Sequence, residues 1–196
     1  MVANSGNMID LQQMKEEGIS EEEWKKTTMA MGNGKVVNFF TGSLVIDGQN
    51  QPSQSLTLKR GVARFDLNVD VAGSAAIESL TLRNVAQSGY LFAQGEVAAS
   101  PADVERNDVT AHFDTALSAS TPGVLYVYEQ ENTGIEVSIE AVIDGQHKVL
   151  TKTLEGNLKR NTIYTVTVRK NAIDIVVKVD IDDWEPGEDT EIIPQL

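Results

Sequence analysis

Alternation of apolar and polar residues at every second position governs this sequence from residue 35 to residue 181, with almost no helical periodicity to compete with it. Residues 135–143, 162–169 and 173–181 show it most cleanly, as strands do when one face is buried and the other wet. Turn signals separate the segments: Asn132-Thr133-Gly134, Asp144-Gly145, Glu155-Gly156-Asn157 and Lys170-Asn171. With Pro122-Gly123 as a further turn, residues 109–113, 124–129, 135–143, 148–154, 162–169 and 173–181 read as six strands. Short strands at this spacing, with no helices between them, predict an antiparallel β-sandwich.

The first half follows the same period with interruptions. Residues 43–47 form a short strand ending at the Asp47-Gly48 turn, and residues 49–55, which include Pro52, form a loop. Residues 56–71 alternate but change phase at Gly61, where a bulge would switch faces. Residues 77–85 and 90–92 add two more strands. Only residues 7–26 read as helical, broken at Gly18. Ser20 followed by Glu23 is a capping box, with Trp24 on the apolar side of the turn it opens. Residues 93–107 are small and polar and contain Pro101, which marks a crossing between domains. The chain therefore divides into residues 1–98 and 99–196.

Composition narrows the function. The 16 basic and 29 acidic residues give a net charge of −13, which disfavours nucleic acid and anionic membranes as partners. Cysteine is absent, so thiolate metal sites, disulfides and thiol nucleophiles are excluded. No apolar run approaches the roughly 20 residues a membrane helix requires. His112 and His147 stand in no zinc-binding or nucleophile-base spacing. Asp180, Asp182, Asp183, Glu185, Glu188 and Asp189 resemble part of a calcium loop but lack its full order, and read as a solvated strand end. No nucleophile elbow, Walker loop or dinucleotide fingerprint occurs. The residues thus suggest no catalytic site, cofactor or metal. Tyr126 and Tyr128 share one face of their strand, and Met29-Ala30-Met31 reads as packing.

The chain's end carries the functional clue. Thr190, Glu191, Ile192, Ile193, Pro194, Gln195 and Leu196 place three aliphatic residues where chains normally end polar and frayed. An apolar strand with no partner in its own sequence is a candidate for insertion into another molecule. A surface module recognising glycan or host protein through loops such as 129–135 is the competing class.

Five segments, in order, resemble the fimbrillins, the pilin family of the type V fimbriae of Bacteroidales. They are Met29-Ala30-Met31-Gly32, Leu58-Lys59-Arg60-Gly61-Val62-Ala63-Arg64-Phe65, Leu125-Tyr126-Val127-Tyr128-Glu129-Gln130, Leu158-Lys159-Arg160-Asn161-Thr162-Ile163-Tyr164-Thr165-Val166 and the strand from Val177 to Trp184. The resemblance implies two transthyretin-like antiparallel β-sandwich domains, the first incomplete with a short helical segment. It further implies a subunit of a surface fimbrium on the outer membrane, made as a lipoprotein precursor and supporting adhesion. Neighbouring subunits would be the partners, each donating a C-terminal strand to a groove in the next. Met1 to Gly6 resemble the middle of the family's first domain, so the leader and first strands are expected to be missing from the residues shown.

Overall fold

The computed structural model describes residues 1–4, 9–44, 55–95 and 97–178. The expected donor 190–196, the acidic cluster 180–189, Trp184 and the Asp47-Gly48 turn lie outside the described residues. The N-terminal part holds β1 (Val2–Ala3), α1 (Leu11–Glu16), α2 (Glu21–Lys25), β2 (Thr28–Ala30), β3 (Phe40–Thr41) and β4 (Lys59–Arg60). Then come β5 (Val62–Val69), β6 (Ala75–Ala86), β7 (Ser88–Tyr90), β8 (Arg106–Leu117) and β9 (Thr121–Tyr128). The last four strands are β10 (Glu136–Ile143), β11 (Gln146–Thr153), β12 (Ile163–Val168) and β13 (Ile173–Lys178).

Eight of these strands build an all-β sandwich. One sheet runs β11-β10-β6-β8 and the other β13-β12-β5-β9. The inward residues of both sheets meet in one core, where Phe65, Leu67, Leu80, Leu82, Val137, Ile139, Val166 and Val168 are all but sealed from water. Tyr164 stacks on Phe65 at 5.2 Å between ring centroids. The alternation read from the sequence is what lets each strand offer one face to this core.

Strands from both sides of residue 98 share each sheet: β5 and β6 lie before it, and each is flanked by strands that follow it. The small polar stretch 93–107 joins β7 to β8, and β8 pairs with β6. Two expectations change. β5 and β12 run parallel, with Phe65 opposite Tyr164 and Leu67 opposite Val166. A pattern of alternation specifies faces, not strand direction. Pro122-Gly123 is no turn either, but part of β9. There Gly123 sits at φ 63° and its N–H donates to Asp66 Oδ1 at 2.7 Å, beside a register shift in the β5–β9 pairing.

A second, smaller core covers the outer face of the β5 sheet. Met29, Phe39, Val62, Leu91 and Tyr128 are buried there beneath the N-terminal segment. Val62 faces this layer while Ala63 faces the sandwich, so β5 is buried on both sides at its start. Gly61 is where the predicted change of phase occurs: β4 belongs to a small sheet with β1 and β3, and β5 to the sandwich. A β-carbon at Gly61 would overlap the Phe39 ring, so the pivot requires glycine. The helical region resolves into two short helices around Gly18, which has φ 66°. The Ser20–Glu23 capping box forms as expected.

Candidate functional site

A sandwich of two open sheets has two side seams, where the edge strand of one sheet faces the edge strand of the other. In this molecule the seams are unlike. At one, β11 faces β13 across ionic and polar ties. Lys148 Nζ donates to the Lys170 carbonyl at 2.9 Å and to Asn171 Oδ1 at 2.7 Å. Lys152 lies 3.5 Å from Asp174, which Arg169 also holds at 2.9 Å. At the other seam, β8 pairs with β6 and β9 with β5, and among the described residues neither has a second partner strand. Among the described residues no hydrogen bond or ion pair joins a residue of β8 to one of β9, and the ties come only beyond the end of β9, where Arg106 binds Gln130 and Glu131.

The β8–β9 seam opens into a cleft of about 570 Å³. Val109 and Leu125 are buried at its floor, and Ala111, Phe113 and Val124 are partly buried along its walls. Alternation along β8 supplies this lining: Val109, Ala111 and Phe113 point inward, while Asp108, Thr110, His112 and Asp114 are exposed. The turn from Gly32 to Lys35 borders one end. The cleft combines apolar side chains with the backbone edges of two strands that are unpaired among the described residues. That chemistry accepts an extended apolar segment, which would complete the ladder and cover the core.

The residues singled out in the sequence fall in several places. His112 lies on the exposed face of β8, beside the seam, and His147 stands 3.8 Å from Glu78 at the β10–β11 turn. Among the described residues no cluster of histidine and acidic side chains could hold a metal. Met29 is core, as its apolar setting suggested. Tyr128 is buried in the second core, where its hydroxyl accepts from the Val37 N–H at 3.0 Å and donates to the Ala30 carbonyl at 3.2 Å. Burial raises its phenol, and the Val37 bond opposes that rise.

The segments 125–130 and 158–166 meet in a polar clamp that joins the two cores. Arg160 Nε binds Glu129 at 2.7 Å, with both side chains only 10% and 12% exposed. The same guanidinium donates to the carbonyls of Tyr90 and Leu91. Asn161 adopts φ 55°, and the Tyr164 hydroxyl closes its turn by donating to the Asn157 carbonyl and accepting from the Lys159 N–H. Sequence reading named Arg160 and Glu129 without pairing them, since 31 residues separate them and only the fold brings them together. The open seam was equally hidden. Val109-x-Ala111-x-Phe113 shows an inward face, but nothing local shows that β8 ends its sheet among the described residues.

The molecule is thus an all-β sandwich with one laced and one open seam. Residues 94–182 match the bacterial Ig-like domain family. The fold is similar to that of a candidate cell adhesion protein from Bacteroides eggerthii DSM 20697, at 13% identity and a TM-score of 0.57, over 90% of this chain and 75% of that one. It is similar to another from Bacteroides uniformis ATCC 8492, at 13% identity and 0.53, over 81% of this chain and 66% of that one. The tip fimbrial protein Mfa3 from Porphyromonas gingivalis shares the fold at 16% identity and 0.55, over 93% of this chain and 78% of that one. The chain therefore spans about two thirds to three quarters of these proteins' lengths. No curated protein is similar to it in sequence.

Proposed function

We propose that this protein is a structural subunit of a cell-surface fimbrium, joined to its neighbours by strand exchange, with the β8–β9 seam as acceptor and residues 190–196 as donor. The open seam is the observation that carries this reading. Its apolar floor suits the aliphatic Ile192, Ile193 and Leu196, and its edges, unpaired among the described residues, suit an added strand. Burial of such side chains contributes roughly 25 cal/mol per Å². Release would re-expose the whole surface at once, which makes the junction long-lived. The five fimbrillin-like segments support the reading, as does the fold shared with a tip fimbrial protein and candidate adhesion proteins. The role is non-enzymatic.

The test is assembly of the purified chain, followed by sedimentation and negative-stain microscopy. The intact chain forms multimers; deletion of residues 187–196 leaves a folded monomer. A synthetic peptide of residues 187–196 binds that monomer, and Phe113→Glu, which puts a charge at the cleft wall, removes the binding. Multimers that survive both changes overturn the assignment, as does a peptide that binds equally well to the Phe113→Glu protein.

A further inference from the structure

The β11–β13 seam has the makings of a second acceptor. β11 pairs with β10 and β13 with β12, and among the described residues neither has a second partner strand. A cleft of about 350 Å³ runs between them, with the buried Leu150 and Ile173 at its floor. Both belong to the sandwich core, so apolar surface lies just beneath this edge too. What differs is the lining. Along β11 the positions that alternate with the exposed face are Lys148, Leu150 and Lys152, where β8 offers Val109, Ala111 and Phe113. Both lysines reach across to the chain of the other sheet, Lys148 to Lys170 and Asn171 and Lys152 to Asp174. An inward-pointing charge at a sheet edge deters an incoming strand.

We infer that Lys148 and Lys152 bar the β11–β13 seam to donor strands, which leaves each subunit one acceptor and keeps the fibre unbranched. The inference rests on the reading of residues 190–196 as donor. A strand entering here has to displace both lysines and leave ammonium groups against Leu150 and Ile173. The donor carries one charged side chain, Glu191, which matches one lysine and leaves the other facing Ile192 to Leu196. With one donor and two acceptors per subunit, assembly branches; with one of each it is linear. The lysines are not needed to hold their partners. Arg169 keeps Asp174 at 2.9 Å without Lys152, and Lys170 and Asn171 lie exposed, where water replaces Lys148.

The experiment uses the intact chain throughout, with urea unfolding to check that each variant is folded. In negative-stain microscopy the unaltered chain forms unbranched fibres. The double variant Lys148→Met with Lys152→Met, which keeps length and removes charge, forms branched ones. A second arm starts from Phe113→Glu, which blocks the β8–β9 acceptor and leaves a monomer in sedimentation. Adding the two methionine changes restores multimers, whereas adding Lys148→Arg and Lys152→Arg, which keep the charge, does not. Unbranched fibres from the methionine double variant overturn the inference and leave the donor reading standing. So do a methionine triple variant that stays monomeric and an arginine version that forms multimers. An unaltered chain that never assembles overturns the donor reading and this inference with it.

Discussion

Arg160 and Glu129 show how a single residue pair joins layers of this molecule. Their contact is short and nearly dry, and the rest of the guanidinium satisfies two carbonyls of the β7 region. Removing one partner strands a buried charge, which costs about 3–5 kcal/mol, whereas replacing both by apolar residues costs far less. Arg160→Met and Glu129→Leu each therefore lower the stability measured by urea unfolding by about that amount. The double variant recovers most of the loss. Equal additive losses would show that the pair does not act as a unit.

At the scale of an element, the crossing between β7 and β8 is held by a polar network rather than by regular structure. Glu131 accepts from the Ser100 N–H at 2.6 Å and pairs with Arg106 at 2.9 Å. Arg106 in turn donates at 3.1 Å to the side-chain Oε1 of the buried Gln130, which also accepts from the Ala86 N–H. Partial burial alone would raise the Glu131 carboxyl. The Ser100 bonds and Arg106 outweigh it and hold the group below the ordinary 4.5. A carboxyl depressed in the folded state stabilises above its unfolded value, and the contribution is lost as pH falls through the folded one. The crossing should therefore loosen on acidification below 4.5, seen as faster amide exchange at Ser100. Glu131→Gln should make that exchange insensitive to pH across the same range, after correction for intrinsic rates.

At the scale of the whole molecule, the two cores differ in size and in what closes them. The sandwich core draws on both sheets, whereas the smaller one is capped by short strands, the loop residues around them and Trp24 of α2. Local opening follows such differences, so the N-terminal layer should come away first. Two tyrosines report on it separately. Burial, opposed by the Lys159 bond and helped by Glu129, pushes Tyr164 up to about 12, and burial raises Tyr128 above the ordinary 10.0. A phenol raised on folding stabilises fully below its unfolded value and loses that contribution as pH rises through the folded one. For Tyr164 the loss thus falls between 10.0 and about 12. Ultraviolet titration in increasing urea, with Tyr128→Phe and Tyr164→Phe to assign the signals, should release Tyr128 to its ordinary range at a lower urea concentration than Tyr164. Simultaneous release would mean that both cores open together.

Much of the fold was legible because strand faces are a local property. Period two in residues such as Val137, Ile139 and Ala141 states which side is buried, and Ser20 with Glu23 states where a helix begins. Gly61 marked the change of face, although the reason for glycine, the Phe39 ring against the backbone, lies 22 residues away. The apolar tail also belongs to the sequence alone. Tertiary structure decided the rest: that β5 and β12 run parallel, that strands from both sides of residue 98 share each sheet, and that among the described residues one seam is laced while β8 and β9 share no bond at the other. These depend on which strands become neighbours, and alternation is the same whichever neighbour a strand finds. Pairing is chosen by the total burial of a shared core, a sum over residues far apart in the chain that no single segment carries.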